Sequence, residues 1–213
     1  MLKKIYNRLA NFVWNFNRER INRKNREKVV NADIPTIISC NCTGGVMYHD
    51  LGWKFMSPTV NLYMNCEDFI KFCENLDYYL SLELTPYDDT ERSYPVTLLG
   101  DLKIYMVHYK TFEEANTKWE SRKARINKQN IRIIATNRDG CTDELKERSS
   151  KLPYKKIMFT HVLEDDDYSV YIKGFENDSQ VGTVVAHDGA FGGRRYYDQF
   201  DWVEFLKEKY NER

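Results

Sequence analysis

The chain has 213 residues, a length that suits one ordinary domain whose core needs no disulfide or metal support. Its five cysteines are an odd number without a CxxC pair, which excludes a regular disulfide framework or a zinc ribbon and predicts reduced thiols. No segment reaches the roughly 20 apolar residues that span a bilayer. The N-terminus also lacks an apolar signal core. The sequence therefore predicts a cytoplasmic protein that is neither secreted nor membrane-spanning.

Charge is distributed unevenly, although the whole chain has a formal net charge of zero. Residues 1–30 contain nine Lys or Arg and two Glu, a net charge of +7, so the rest of the chain carries −7. This excludes a globally basic nucleic-acid binder, and we predict no nucleic-acid partner. The basic N-terminal arm alone suits an acidic surface.

The N-terminal segment predicts a basic amphipathic helix, because its apolar residues recur at helical spacing. Two interpretations stay open. Residues 1–28 could lie on the inner membrane surface with Trp14 at the headgroup boundary, or the helix could pack on its own domain or a twin subunit. The polar residues 17–31 predict a helical extension or a solvated linker. We therefore divide the chain into a helical extension, 1–31, and a single α/β domain, 32–213. The apolar positions are Leu2, Ile5, Tyr6, Leu9, Phe12, Val13 and Phe16.

From Asp33 onward, short apolar runs alternate with longer amphipathic ones, a pattern typical of strands separated by helices. It predicts an α/β fold in three Rossmann-like layers, a mainly parallel sheet flanked by helices. Ligand sites are then expected outside the carboxyl ends of the strands. The predicted strands are 34–40, 59–64, 96–99, 103–109, 131–136, 156–160 and 170–173. The predicted helices are 66–82, 111–128, 142–149 and 197–210.

The turn of residues 41–45 follows the first predicted strand and leads into a short helix. Backbone amides at a helix N-terminus bind phosphate or stabilise an oxyanion, so Gly44 and Gly45 are candidate ligand-binding residues. The same position lowers the pKa of a thiol, which makes Cys42 a candidate nucleophile, with Asn41 beside it. The competing interpretation is an inert buried cysteine in a turn that only reverses the chain.

Two histidines follow predicted strands, at the edge where catalytic groups gather in open α/β sheets. His108 and His161 are both candidate general bases, and we assign His108 to catalysis and His161 to ligand binding. Alternatively, each caps a strand by hydrogen bonding. The acidic run Glu164–Asp167 predicts a solvated loop, because consecutive carboxylates cannot all converge on one cation. We predict no metal site.

Two further loops carry candidate ligand-binding residues. In residues 136–144, helix capping does not account for Arg138, which with Asp139 is expected at the ligand edge and suits a sugar phosphate or nucleotide. Residues 186–197 are rich in Gly, Arg and Tyr. A mobile surface loop is the competing interpretation there. The residues of that segment suited to binding anions and stacking on sugars are Arg194, Arg195 and Tyr196.

Short motifs over about residues 34–206 together carry a family resemblance. They are Ser39-Cys-Asn-Cys-Thr-Gly-Gly45, Leu51-Gly52, Ser57-Pro-Thr59, Asn75-Leu-Asp-Tyr-Tyr-Leu80, His108-Tyr-Lys110, Trp119-Glu-Ser-Arg-Lys-Ala-Arg-Ile-Asn127, Asp139-Gly-Cys-Thr142, Leu152-Pro-Tyr-Lys155 and Arg195-Tyr-Tyr-Asp-Gln-Phe200. The chain resembles the bacterial domain-of-unknown-function family 1919, whose members are often labelled exopolysaccharide or capsular polysaccharide biosynthesis proteins. That label implies a pathway and not a reaction. Members often have Asn at the position of Cys40, so the resemblance implies no catalytic role for that cysteine.

A second resemblance concerns mechanism. The strand-to-helix turn with Asn41 and Cys42 is similar in position to the nucleophile turn of the Ser-Gly-Asn-His esterases. It is also similar to the Asn-Cys turn of a capsule-biosynthesis acyltransferase-like group. The esterase pattern includes an Asp-x-x-His near the C-terminus, which this sequence lacks, so a standard esterase triad does not follow.

Together these observations predict an enzyme of surface-polysaccharide assembly that transfers an acyl group to a sugar or lipid-linked saccharide. No resident cofactor is predicted, and acyl-CoA or a nucleotide-sugar is the candidate donor substrate. Three alternatives stay open: glycosyl transfer in the same pathway, hydrolysis of a sugar ester, and a non-catalytic glycan- or nucleotide-binding module. As an acyltransferase of surface-polysaccharide assembly, the protein is expected to be cytoplasmic and peripheral at the inner face of the membrane.

Overall fold

The computed structural model describes residues 2–189 and 191–208. The strands are β1 Thr36–Ser39, β2 Thr85–Tyr87, β3 Val96–Leu99, β4 Leu102–Tyr105, β5 Ile131–Thr136, β6 Lys155–Thr160 and β7 Ser169–Tyr171. The α-helices are α1 Leu2–Lys28, α2 Thr43–Leu51, α3 Cys66–Glu74, α4 Leu76–Ser81, α5 Phe112–Lys123, α6 Asp143–Ser150 and α7 Trp202–Lys207. A parallel sheet has the strand order β1-β5-β6-β7, and a separate antiparallel sheet has the order β2-β3-β4.

Strand β5 shows how the sheet divides the core in two. All six of its residues are buried, and successive side chains point to opposite faces. Ile133 packs in a cluster that includes aromatic residues of α3 and α5, whereas Ile134 packs in a second cluster with residues of α2 and α7. Helices therefore cover both faces of the parallel sheet. The predicted α/β fold, a mainly parallel sheet flanked by helices, is confirmed, and the antiparallel sheet is added to it.

The predicted strand 59–64 is wrong. Its apolar residues are buried, but the backbone is irregular because Asn61 has a φ of 66°, in the left-handed region that strands exclude. Only Tyr63 forms a bridge, to Tyr105 of β4. The apolar residues of this segment therefore belong to a buried loop and not to a strand. The predicted strand 103–109 is also too long, since β4 ends at Tyr105 and His108 lies in the turn that follows.

Two predicted helices are interrupted. The helix predicted over 66–82 breaks at Asn75, whose φ of −127° and ψ of 43° are not helical. The segment predicted over 197–210 begins as a 3-10 turn at 196–199, and α7 then starts after Asp201, whose carboxylate accepts a hydrogen bond from the Glu204 amide. Residues 209 and 210 lie outside the described part. Helix α5 ends at Lys123, five residues before its predicted end.

Helix α1 packs on its own domain from Trp14 onward, and it continues through the residues for which a linker was the alternative. Trp14 is buried and stacks on His187 at 3.6 Å between ring centroids, so the predicted headgroup position for Trp14 is wrong. Arg18 is buried and pairs with Asp50 of α2 at 2.5 Å and with Asp198. Asn22 donates to the second Asp50 oxygen at 3.1 Å.

Within residues 2–189 and 191–208, no helix is both long enough and apolar enough to cross a membrane. Helix α1 has the length, with 27 residues, but charged and amide side chains recur throughout it.

Candidate active site

The turn between β1 and α2 is held by its own side chains. Asn41 accepts hydrogen bonds from the Thr43 amide at 3.0 Å and the Thr43 hydroxyl at 2.6 Å. The Gly44 amide donates to the Ser39 hydroxyl at 3.1 Å. The amides of Thr43 and Gly44 are therefore already satisfied within the protein, and they are not free to bind the anion that the sequence predicted there.

Cys42 occupies the N-cap of α2 and faces a histidine. Its Sγ lies 3.1 Å from Nε2 of His108, 66 residues further along the chain. His108 is exposed, while Cys42 is half-buried. This pairing of a thiol with an imidazole is the arrangement in which a base can remove the thiol proton during nucleophilic attack. In the described part of the chain, no acceptor lies within hydrogen-bond distance of Nδ1 of His108, so the pair is a dyad.

Tyr109, the residue after His108, anchors the turn that carries His108. Tyr109 is buried, and its hydroxyl donates to the Val60 carbonyl at 3.0 Å. The guanidinium of Arg122 on α5 donates to both the Tyr109 hydroxyl and the Val60 carbonyl. A buried side chain thus anchors the residue next to His108. This anchoring positions the imidazole against Cys42, although His108 follows a strand of the antiparallel sheet and not one of the parallel sheet.

Burial raises the pKa of the Cys42 thiol. This direction is opposite to the one predicted from the helix N-terminus, because the side chain of Cys42 accepts no hydrogen bond from a backbone amide of α2. Burial therefore favours the neutral thiol of Cys42 over the thiolate. Cys40, two residues earlier, is buried, and burial raises its pKa to about 11. Cys40 is an inert core thiol.

Cys42 lines a cleft of about 480 Å³ at the carboxyl ends of β1 and β5. Two guanidinium groups, Arg92 and Arg138, and two phenols, Tyr63 and Tyr94, lie in its walls. Nε of Arg138 donates to Asp139 at 2.9 Å, and Asp139 has a φ of 60°, so this loop is tightly turned. Burial raises the pKa of Tyr63 to about 12, and its phenol therefore stays protonated and can donate. The cleft combines a thiol with positive charge and aromatic faces.

The structure brings part of the predicted site together. Asn41, Cys42, Arg138 and Asp139 line the cleft, and His108 contacts Cys42 next to Val107, which also lines it. Gly44 and Gly45 are buried behind the turn. A Cβ at Gly44 would lie 2.7 Å from the Ser39 hydroxyl, so the glycine permits close packing of α2 on β1.

The remaining predicted ligand-binding residues lie elsewhere. His161 contacts the Asn137 side chain at 2.8 Å and does not line the cleft. Arg195 is tied to the Val185 carbonyl and lies over the Trp14 ring. Arg194 and Tyr196 line a separate surface depression. The described residues of the segment 186–197 therefore contact α1 at several points, and they do not line the cleft with Cys42.

Two carboxylates of the acidic run Glu164–Asp167 have protein partners. Glu164 pairs with Lys146 at 2.8 Å, and Asp166 accepts hydrogen bonds from the amides of Tyr168 and Ser169. Among the described residues, no group of three or more His, Cys, Asp or Glu side chains could hold a metal ion.

Comparison with known proteins gives a family and one curated relative. The model of the family described as "Domain of unknown function (DUF1919)" matches residues 12–207. A protein of Haemophilus influenzae, named "Uncharacterized protein", is 43% identical over 188 residues, which cover 87% of this chain and 90% of the relative. The family match includes the cleft and most of α1.

Proposed function

Because the chain belongs to the domain-of-unknown-function family DUF1919, whose description gives no reaction, we propose a function from the cleft itself: acyl transfer through a thioester on Cys42. The observation that carries this proposal is the 3.1 Å contact between Sγ of Cys42 and Nε2 of His108. The contact lies beside a cleft, at the end of a parallel strand, where open α/β sheets place their ligands. A cysteine–histidine pair in that position suits nucleophilic catalysis.

The first half-reaction uses acyl-CoA as donor. Nε2 of His108 accepts the thiol proton while Sγ of Cys42 forms a bond to the acyl carbonyl carbon. The bond between that carbon and the sulfur of CoA breaks, and the departing CoA sulfur takes the proton from His108. One thioester is exchanged for another, so the step needs no oxidant, reductant or additional energy source.

The second half-reaction transfers the acyl group to a hydroxyl. The acceptor oxygen attacks the Cys42 thioester and gives its proton to His108, and the Cys42 sulfur then leaves and recovers that proton. A sugar or lipid-linked saccharide is the acceptor that we propose. The resemblance to polysaccharide biosynthesis proteins supports this pathway, and the phenol rings of Tyr63 and Tyr94 in the cleft suit stacking on a sugar face.

Arg92 and Arg138 support a donor that carries phosphate groups. Guanidinium groups bind phosphate by paired charge-assisted hydrogen bonds, and both line the same cleft as Cys42. In the described part of the chain, Arg92 forms no ion pair, whereas Arg138 shares its charge with Asp139. A nucleotide-sugar also carries a diphosphate, and it is the donor of the second candidate function, glycosyl transfer.

The experiment that tests the proposal needs no acceptor. Protein is mixed with acetyl-CoA, and released CoA is measured by chromatography. Acyl transfer through Cys42 is expected to release one equivalent of CoA per protein in a burst, and Cys42→Ser is expected to release none. Cys141→Ser is the matched control, because Cys141 is also half-buried but lies outside the cleft. Absence of the burst together with binding of UDP-glucose would overturn acyl transfer in favour of glycosyl transfer or a binding module.

Replacing either cleft arginine should weaken donor binding. A hydrogen bond to a charged group contributes roughly 1.5–3 kcal/mol, so Arg92→Gln and Arg138→Gln should each raise the Kd of acetyl-CoA about tenfold or more. Arg194→Gln is the control, because Arg194 lies in a different surface depression. The Kd of acetyl-CoA for this variant should stay unchanged. Isothermal titration on the Cys42→Ser background separates binding from turnover. Equal effects of all three variants would contradict this role of the cleft.

A further inference from the structure

The outward face of the N-terminal half of α1 is apolar and uncovered. Leu9, Phe12, Val13 and Phe16 have exposed fractions of 60%, 71%, 37% and 59%. Residues spaced by three, four and seven positions share one face of a helix, so these four side chains form a single continuous stripe. Adjacent large apolar side chains left in water mark an interaction surface.

This apolar stripe lies on the side of α1 that faces away from the domain. Trp14, Arg18 and Asn22 follow each other at intervals of four residues and are buried against the domain. At about 3.6 residues per turn, that row lies roughly half a turn around the helix from Phe12 and Phe16. The apolar stripe is therefore not part of the domain core, and the domain itself does not cover it.

Basic residues lie on the same face of α1, C-terminal to the apolar stripe. Arg20, Arg23 and Lys24 come one and two turns after Phe16 and are exposed. The 30 N-terminal residues carry a net charge of +7, while the rest of the chain is negative. An apolar stripe that continues into cations complements the acyl boundary and headgroups of an anionic bilayer.

We propose that α1 docks the protein on a membrane surface that contains anionic phospholipid. The apolar stripe enters the interface between headgroups and acyl chains, and the cations after it contact the headgroups. Because Arg18 pairs with Asp50 and Asp198, the helix that carries the apolar stripe is joined to the domain by a buried ion-pair network. The proposal concerns a surface separate from the cleft and does not depend on acyl transfer.

The test is co-sedimentation of the full-length protein with vesicles of phosphatidylcholine alone and of phosphatidylcholine with phosphatidylglycerol. We expect binding that is at least about tenfold tighter to the anionic vesicles, because each basic residue near an anionic surface contributes about fivefold. Leu9→Ser with Phe12→Ser and Phe16→Ser should lower that binding at least about tenfold. Leu163→Ser, at an apolar residue that is 81% exposed in the loop after β6, should leave vesicle binding unchanged.

A second variant separates the two contributions. Arg20→Glu with Arg23→Glu and Lys24→Glu should remove the preference for anionic vesicles. Because all these positions are exposed, thermal unfolding should show an intact fold in each variant. Failure of the wild-type protein to bind either vesicle, or binding unaffected by the serine substitutions, would overturn the proposal. So would a concentration-dependent dimer in ultracentrifugation that the serine variant abolishes, because the apolar stripe would then be a protein interface.

Discussion

Replacing His108 with alanine is expected to lower the rate of acyl transfer to Cys42 by about 10²- to 10⁴-fold, the range that a positioned general base contributes. The reason is the state of the thiol. Burial raises the pKa of Cys42, so little thiolate exists near neutral pH without a base, and Nε2 of His108 lies 3.1 Å from the sulfur. The measurement is the rate of the CoA burst for wild-type protein and His108→Ala.

The pH dependence of the variant distinguishes loss of a base from loss of structure. Without His108, the residual rate should rise as the pH increases, because hydroxide then supplies the thiolate. His49→Ala is the matched control, since His49 is on the surface of α2 with a side chain that is 79% exposed, and it should retain the wild-type rate. A His108→Ala protein with an unchanged burst would show that the Cys42–His108 contact has no catalytic role.

Asp50→Asn is expected to destabilise the protein by about 3–5 kcal/mol, the loss measured when one partner of a buried ion pair is removed. The Asp50 carboxylate accepts hydrogen bonds from Arg18 at 2.5 Å and from the Tyr197 hydroxyl at 2.6 Å, and all three side chains are buried. The substitution leaves the buried guanidinium of Arg18 with one carboxylate partner, Asp198, instead of two. Urea unfolding measures the change in the free energy of unfolding.

The same residue sets part of the acid stability. Burial alone would raise the pKa of Asp50, but the charge of Arg18 and the hydrogen bonds from Tyr197 and Arg18 outweigh burial, and the pKa is lowered. A carboxyl whose pKa is lower in the folded state contributes stability above its ordinary pKa of about 3.9, and that contribution is lost as the pH falls through the lower folded value. Wild-type stability should therefore decline below about pH 4, and Asp50→Asn should lack this part of the decline.

An exposed ion pair provides the control for the buried one. Asp77 pairs with Lys128 at 2.6 Å, but both side chains are largely exposed, so Asp77→Asn should change the free energy of unfolding by less than about 1 kcal/mol. If Asp50→Asn were as mild as Asp77→Asn, the buried network would not hold α1. The network matters to the site because α2 carries Cys42 at its N-cap and Asp50 in its last turn.

The sequence predicted the part of the site that is local. The apolar run of β1, the polar turn and the short α2 are adjacent in the chain, so the position of Cys42 at a strand end followed from pattern alone. Arg138 was predicted for the same reason, because it follows β5. The contact between Cys42 and His108 was not predictable, since it depends on Tyr109 and Arg122 anchoring a turn of the antiparallel sheet. Nothing in the polar loop around Arg92 indicated that this residue lines the cleft.

The packing of α1 and the role of the C-terminal glycines could not be predicted from the sequence for the same reason. The periodicity of α1 indicated an amphipathic helix, yet it could not show that Trp14 faces the domain while Phe12 and Phe16 face away. Gly193 has a φ of 73°, and a Cβ there would lie 2.5 Å from the Arg18 amide nitrogen. The glycine therefore permits the close approach of α1 rather than of a ligand. Such long-range packing has no local sequence pattern.

A covalent acyl group on Cys42 is the intermediate that defines the proposed transfer, and peptide mapping by mass spectrometry detects it. Protein mixed with acetyl-CoA is quenched in acid, which preserves the thioester, then digested and sequenced. Acyl transfer through Cys42 predicts an added acetyl group that sequencing locates on Cys42, and none on Cys40, two residues away in the same peptide, or on Cys141. An acetyl group on another residue, or an unmodified Cys42 in protein that has released CoA, would contradict it.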